Sequence, residues 1–154
     1  MEKRVTLFKN FLSVEECDTL LNTYKNETFV DSEFLNKKLK NYLEKIKFNG
    51  SSVSVNEIKI YNISTENTNA SFLEEPKYDI TLLISLNSDF EGGRFIFLNK
   101  DIDKNMHMDN SPGDMIVFFS NINYGSGKII NGTKYYLKIG TNNVLDSQIT
   151  KSLI

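Results

Sequence analysis

Hydrophobic period changes once along this chain, and that switch limits the fold more than any other feature. Up to Phe48 the apolar residues recur at helical spacing; after Asn49-Gly50-Ser51-Ser52 they alternate almost to the end. Ser13-Val14-Glu15-Glu16 reads as a capping box, the Ser13 hydroxyl accepting from the Glu16 amide while the Glu16 carboxylate reaches back, so a helix starts there. Val14, Cys17, Leu20, Leu21 and Tyr24 give it one apolar stripe, on which Cys17 reads as buried packing and not as a reactive thiol. A second helix is predicted from about Asp31 to Phe48, with Phe34, Leu35, Leu39, Tyr42, Leu43 and Ile46 inward. Lys37, Lys38, Lys40, Lys45 and Lys47 fall on its outer face, which reads as solvated surface.

The remainder is predicted as sheet, with strands Val53–Ile63, Asp79–Asn87, Arg94–Leu98, Asn105–Asp109, Asp114–Ser120, Gly127–Asn131 and Lys134–Thr141. Turns are expected at Glu91-Gly92-Gly93, Ser111-Pro112-Gly113-Asp114, Tyr124-Gly125-Ser126-Gly127 and Asn131-Gly132. Helices first and strands after imply an α+β class, two packed sheets or a small barrel braced by the two N-terminal helices. One domain is expected over residues 1–154: a helical part at about 13–48, a β part at about 53–141 and a loose tail at 142–154.

Composition then removes whole classes of function. With 154 residues, 40% hydrophobic and 12% aromatic, the chain can bury a core of its own. A net charge of -2 gives no general pull toward nucleic acid or an acidic membrane, so neither is expected as a partner. No stretch has the length of a signal peptide's apolar region or of a membrane span, and lone Cys17 suits a reducing compartment. The expected location is cytoplasmic or nuclear, not secreted. A single histidine, His107, excludes the two-histidine, one-carboxylate iron site and the usual zinc sites. It also leaves Ser-His-Asp chemistry without a partnered nucleophile, since no G-x-S-x-G elbow is present. Gly125-Ser126-Gly127-Lys128 lacks the spacing of a phosphate loop, and Glu74-Glu75 beside Pro76 reads as an exposed acidic turn.

Four segments in order carry a family resemblance across most of the chain. They are Leu7-Phe8-Lys9-Asn10-Phe11-Leu12-Ser13-Val14-Glu15-Glu16-Cys17; Tyr78 to Asn87 with Phe90-Glu91-Gly92-Gly93-Arg94-Phe95; Pro112-Gly113-Asp114-Met115-Ile116-Val117-Phe118-Phe119; and Gly132-Thr133-Lys134-Tyr135-Tyr136. Together they resemble the prolyl 4-hydroxylase branch of the iron(II) and 2-oxoglutarate dependent oxygenases. The resemblance implies a double-stranded β-helix, or jelly roll, that opens with a short strand before the capped helix. It implies that Ala70, Phe72 and Tyr124 stand where the family's three metal ligands would be, so no metal and no cofactor are expected. Lys134 stands where the family holds the far carboxylate of 2-oxoglutarate. His107-Met108-Asp109 has His-x-Asp form, but it follows the Gly-Gly hairpin, where the family has a strand without ligands, and reads as a surface pair.

The chain is similar in its C-terminal half to the degenerate prolyl-hydroxylase-like domain of poxviral immunomodulatory proteins. That likeness implies a catalytically inactive pseudo-oxygenase of viral origin that binds a host protein, such as an oxygen-sensing prolyl hydroxylase. The alternative expectation is a metal-independent binder that holds a small carboxylate or peptide in the vestigial pocket, with Lys134, Tyr124 and Tyr135. A mouth closed by Phe72 and Tyr124 would favour the first; an open polar pocket around Lys134 would favour the second.

Overall fold

The computed structural model describes residues 5–45, 47–48, 51–66, 80–99, 104–120 and 122–142. Strand β1 (Val5–Phe8) leads into helix α1 (Val14–Tyr24). The capping box forms as expected: Glu16 N donates to Ser13 Oγ at 3.0 Å and Ser13 N to Glu16 Oε1 at 2.9 Å. Helix α2 (Glu33–Glu44) starts at the Ser32 cap and is shorter than the predicted Asp31–Phe48. Beyond it, β2 (Lys47–Phe48) pairs antiparallel with β3 (Ser51–Ser52). Asn-Gly at 49–50 favours a tight hairpin, and that local pairing takes the backbone bonds a longer helix would need.

The strands that follow are β4 (Ser54–Ser64), β5 (Ile80–Ser85), β6 (Phe90–Gly92), β7 (Phe95–Asn99), β8 (Lys104–Met108), β9 (Met115–Phe119), β10 (Asn123–Ser126) and β11 (Ile129–Asn142). The large sheet runs β1-β9-β5-β11-β4, with β6 also paired to β11; the small sheet runs β10-β7-β8. All of these pairings are antiparallel.

Three expected turns differ. Tyr124-Gly125-Ser126 is strand, with Tyr124 opposite Phe97 and Gly125 opposite Ile96, because burial of the Tyr124 ring and a full ladder outweigh the glycine-rich composition. The two strands predicted on either side of Asn131-Gly132 are one 14-residue strand. The register against β6 shifts between Ile129 and Asn131, and Gly132, at φ 83°, lets the strand pass close to β6, since a Cβ there would lie 2.5 Å from the Asp89 carbonyl oxygen. Glu91-Gly92, expected in the Gly-Gly turn, instead ends β6.

Alternation then sorts the large sheet's side chains into two cores. Leu82, Ile84, Leu137 and Ile139 meet Leu20, Leu35, Leu39 and Leu43 of the helices, with Cys17 buried among them as expected. Leu83, Ile116, Phe118 and Tyr136 face the other way and meet Phe95, Phe97 and Tyr124 of the small sheet. Among the described residues, no helix is long and apolar enough to cross a membrane. Of the predicted tail at 142–154, Asn142 is the last residue of β11, opposite Ser54, and the remainder lies outside the described residues.

Candidate functional site

The site is the space between the two sheets, where β11, β7 and β10 place Lys134, Phe95, Phe97 and Tyr124. On a strand, residues two apart share a face, so Lys134 and Tyr136 both point between the sheets. Tyr135, expected in the mouth beside Lys134, lies on the opposite face against the helix-side core, its amide donating to Asn87 Oδ1 at 2.8 Å. The period of two already contained that correction, and the aromatic partner of Lys134 is Tyr136.

Lys134 is 2% exposed. Its Nζ donates to the Gly93 carbonyl oxygen at 2.5 Å and lies 3.3 Å from the centroid of the Phe95 ring. Gly93, at φ 71°, leaves room for the neighbouring Ile129 side chain, which a Cβ there would strike at Cδ1, while Lys134 Cδ would be at ordinary contact distance. Burial pushes the Lys134 ammonium down from its ordinary 10.5 to about 7, against a weaker upward pull from the Asp109 carboxylate. Ser126 Oγ also donates to Gly93 O, at 3.3 Å.

Tyr124, 3% exposed, is the far end of a chain of rings. It stacks on Phe97 at 6.3 Å and meets Phe118 edge-on at 5.2 Å, while Phe97 and Phe118 are 4.9 Å apart. Phe95 continues the chain, 6.5 Å from Phe97 and 5.1 Å from Tyr136, and Tyr136 stacks on Tyr61 at 5.5 Å. The structure therefore brings Tyr124 and Lys134 into one region with aromatic side chains between them. Phe95 and Phe97 were not singled out from sequence, although their spacing of two on a predicted strand was the signal. Ala70 and Phe72, like Glu74-Glu75, lie outside the described residues.

Among the described residues, the iron and 2-oxoglutarate that the resemblance brings with it meet an unsuitable donor set. His107 is exposed on β8, the outer strand of the small sheet, and Asp109 bonds Arg94 Nε at 2.8 Å. Among the described residues, no three His, Cys, Asp or Glu side chains are grouped to hold a metal ion. Lys134 retains the charge for a carboxylate, but its Nζ is enclosed by rings and committed to a carbonyl. The arrangement supports aromatic packing around a buried titratable amine.

No family model matches the chain, and no curated protein sequence does. Solved structures do resemble it. An oxidoreductase of the 2OG-Fe(II) oxygenase family from Burkholderia pseudomallei aligns with a TM-score of 0.72 and 11% identity, over 90% of this chain and 84% of that one. The viral collagen prolyl hydroxylase of Paramecium Bursaria Chlorella virus-1, in complex with 2OG, gives 0.66 and 16%, over 89% and 94%. A prolyl hydroxylase from Trichoplax adhaerens, bound to a hypoxia inducible factor peptide, gives 0.68 and 12%, over 94% and 86%. The fold is thus the double-stranded β-helix of the 2-oxoglutarate oxygenases, prolyl hydroxylases among them, braced by two helices.

Proposed function

We propose that this chain is a pseudo-oxygenase, a non-catalytic domain of the oxygenase fold that binds a protein partner. The observation that carries the reading is the run of rings Tyr136, Phe95, Phe97, Tyr124 and Phe118, which fills the space between the sheets. The resemblance puts iron chemistry in that space, and a facial triad takes two histidines where this chain has only His107. For the partner we propose a host protein, and for the chain a viral origin; both rest on the poxviral likeness, which points to an oxygen-sensing prolyl hydroxylase. The interface belongs on outer strands or helices. The alternative, a binder of a small carboxylate or peptide at Lys134, is less favoured because that lysine is 2% exposed.

Metal analysis and a succinate-release assay test the proposal. The purified protein should hold no stoichiometric iron and release no succinate from 2-oxoglutarate above a heat-killed control. Stoichiometric iron or succinate release overturns the non-catalytic reading. Partner capture should survive Lys134→Ala; a folded Lys134→Ala protein that loses its partner shifts the assignment to the vestigial pocket.

A further inference from the structure

The large sheet has two edges, and among the described residues only one is covered. Along β4, residues 28–30 lie as a partial extra strand: Val30 N donates to Ile58 O at 3.0 Å, Ile60 N donates to Thr28 O at 3.1 Å, and Phe29 bridges Lys59. At the other edge β1 pairs with β9, and among the described residues nothing pairs with its outer side. In a strand bonded on one side only, alternate residues point their N–H and C=O groups outward, which is a template for another strand.

The surface beside that edge is not neutral. Phe8 is 42% exposed and packs edge-on against Phe11 at 6.0 Å and Tyr42 at 5.3 Å, with Phe11 and Tyr42 5.7 Å apart. The three rings line a groove with Lys38, Asn41 and Lys45, a set with two cations and no carboxylate. Lys38 is committed, at 2.7 Å, to Glu16. Lys45 and the neighbouring exposed Lys9 have no ion-pair partner among the described residues. Lysines at the rim oppose a cationic occupant, and an open strand edge suits an extended one.

We propose that the β1 edge and the Phe8, Phe11 and Tyr42 groove dock an extended, acidic segment of the partner protein, which adds a strand to β1 and seats an apolar anchor on the rings. This deepens the partner-binding reading and rests on it. Charge complementarity selects the occupant: carboxylates on the incoming strand meet Lys45 in the groove, with Lys9 next in sequence to Phe8, while the rings supply apolar area.

The probe is a labelled short peptide alternating Glu and Leu with a central Phe, measured by fluorescence anisotropy at low salt. It should bind saturably. The same peptide with Lys for Glu should bind at least about tenfold more weakly, and a version interrupted by Pro should lose most of its affinity because it cannot form a ladder. Phe8→Ser and Lys45→Glu, both at exposed positions, should each weaken the Glu peptide by about tenfold in protein that still folds, Lys45→Glu with a melting temperature near wild type. Hydrogen exchange adds a second readout: β1 amides should gain protection when the peptide is present.

No saturable binding, or equal binding of the Glu and Lys peptides, overturns the proposal. So does a wild-type dimer that Phe8→Ser dissociates, which would make a second copy the occupant. Phosphatidylserine vesicles that bind through Lys45 in the absence of peptide binding would likewise replace it with a membrane surface. A host partner captured equally by wild type and both variants moves the interface elsewhere and leaves the non-catalytic reading intact. Iron-dependent succinate release overturns that reading without touching the peptide result.

Discussion

The two sides of the large sheet are packed by different chemistry. Toward the helices every buried apolar residue among those described is aliphatic or sulfur-bearing, from Leu12 and Cys17 through Met115 to Ile139. Toward the small sheet half of the buried members are rings, namely Phe95, Phe97, Phe118, Tyr124 and Tyr136, and Lys134 is buried beside them. Aliphatic packing needs only volume and shape, whereas a buried ammonium costs free energy that packing alone gives no reason to accept. The helix side is therefore aliphatic scaffold, and the inter-sheet side is the one that combines aromatic packing with a buried lysine.

The sharpest way to break the contrast is to ask whether the rings are core. Phe97→Ala should destabilise by about 3–5 kcal/mol, as much as or more than Leu39→Ala on the helix side, because both remove fully buried side chains. Chemical denaturation of the two variants checks it. A loss below about 1 kcal/mol for Phe97→Ala would mean that the inter-sheet space behaves as a cavity.

Next in size is the lysine. Its folded value, about 7, lies below the ordinary 10.5. Below pH 7 both folded and unfolded chains carry the charge, so the full burial penalty is present. Between about 7 and 10.5 the unfolded chain holds a proton that the folded one lacks, so stability rises with pH; above 10.5 the penalty is gone. Lys134→Met should accordingly stabilise most at pH 6, on the order of a few kcal/mol, and progressively less toward pH 10. Ser126 Oγ remains to serve the Gly93 carbonyl. Melts of both proteins across that range decide it, and a constant difference at all pH values would remove the buried charge from the account.

A smaller effect tests the correspondence with the oxygenases. Ala70→His, Phe72→Asp and Tyr124→His together should place two imidazoles and a carboxylate about one point, and no single change should suffice. Cobalt or nickel at a hundredfold excess over its dissociation constant should raise stability by about 2.7 kcal/mol, roughly 5–10 °C in melting temperature for a chain this size. A folded triple variant with no metal-dependent rise beyond wild type would show that Tyr124 does not stand in a ligand's place.

Some of the contrast was legible before any coordinates. The capping box set the start of α1 because its bonds span three residues, and the stripe gave the buried face at Cys17 and Leu20 but not at Val14, which is exposed in the first turn. Phe95 and Phe97 were readable as a pair on one face, as was Tyr136 with Lys134, since strand alternation is local. The end of α2 was not, because Asn49-Gly50 competes with helix propensity only through the pairing of Lys47–Phe48 with Ser51–Ser52.

What the sequence determined by itself is the order of helices before strands, the caps, the alternation and the poverty of metal donors, with one histidine in 154 residues. Each follows from residues within a turn or two of one another, or from a count. Tertiary structure alone decided that Tyr124-Gly125-Ser126 is a strand beneath Phe97, that Gly132 sits within one long strand, and that Lys134 donates to Gly93, 41 residues away. It also decided that, among the described residues, β1 has no neighbour on its outer side while residues 28–30 cover β4. These contacts depend on register between segments far apart in sequence, and register is set by how the two faces of the sheet bury their side chains together, which no local window contains.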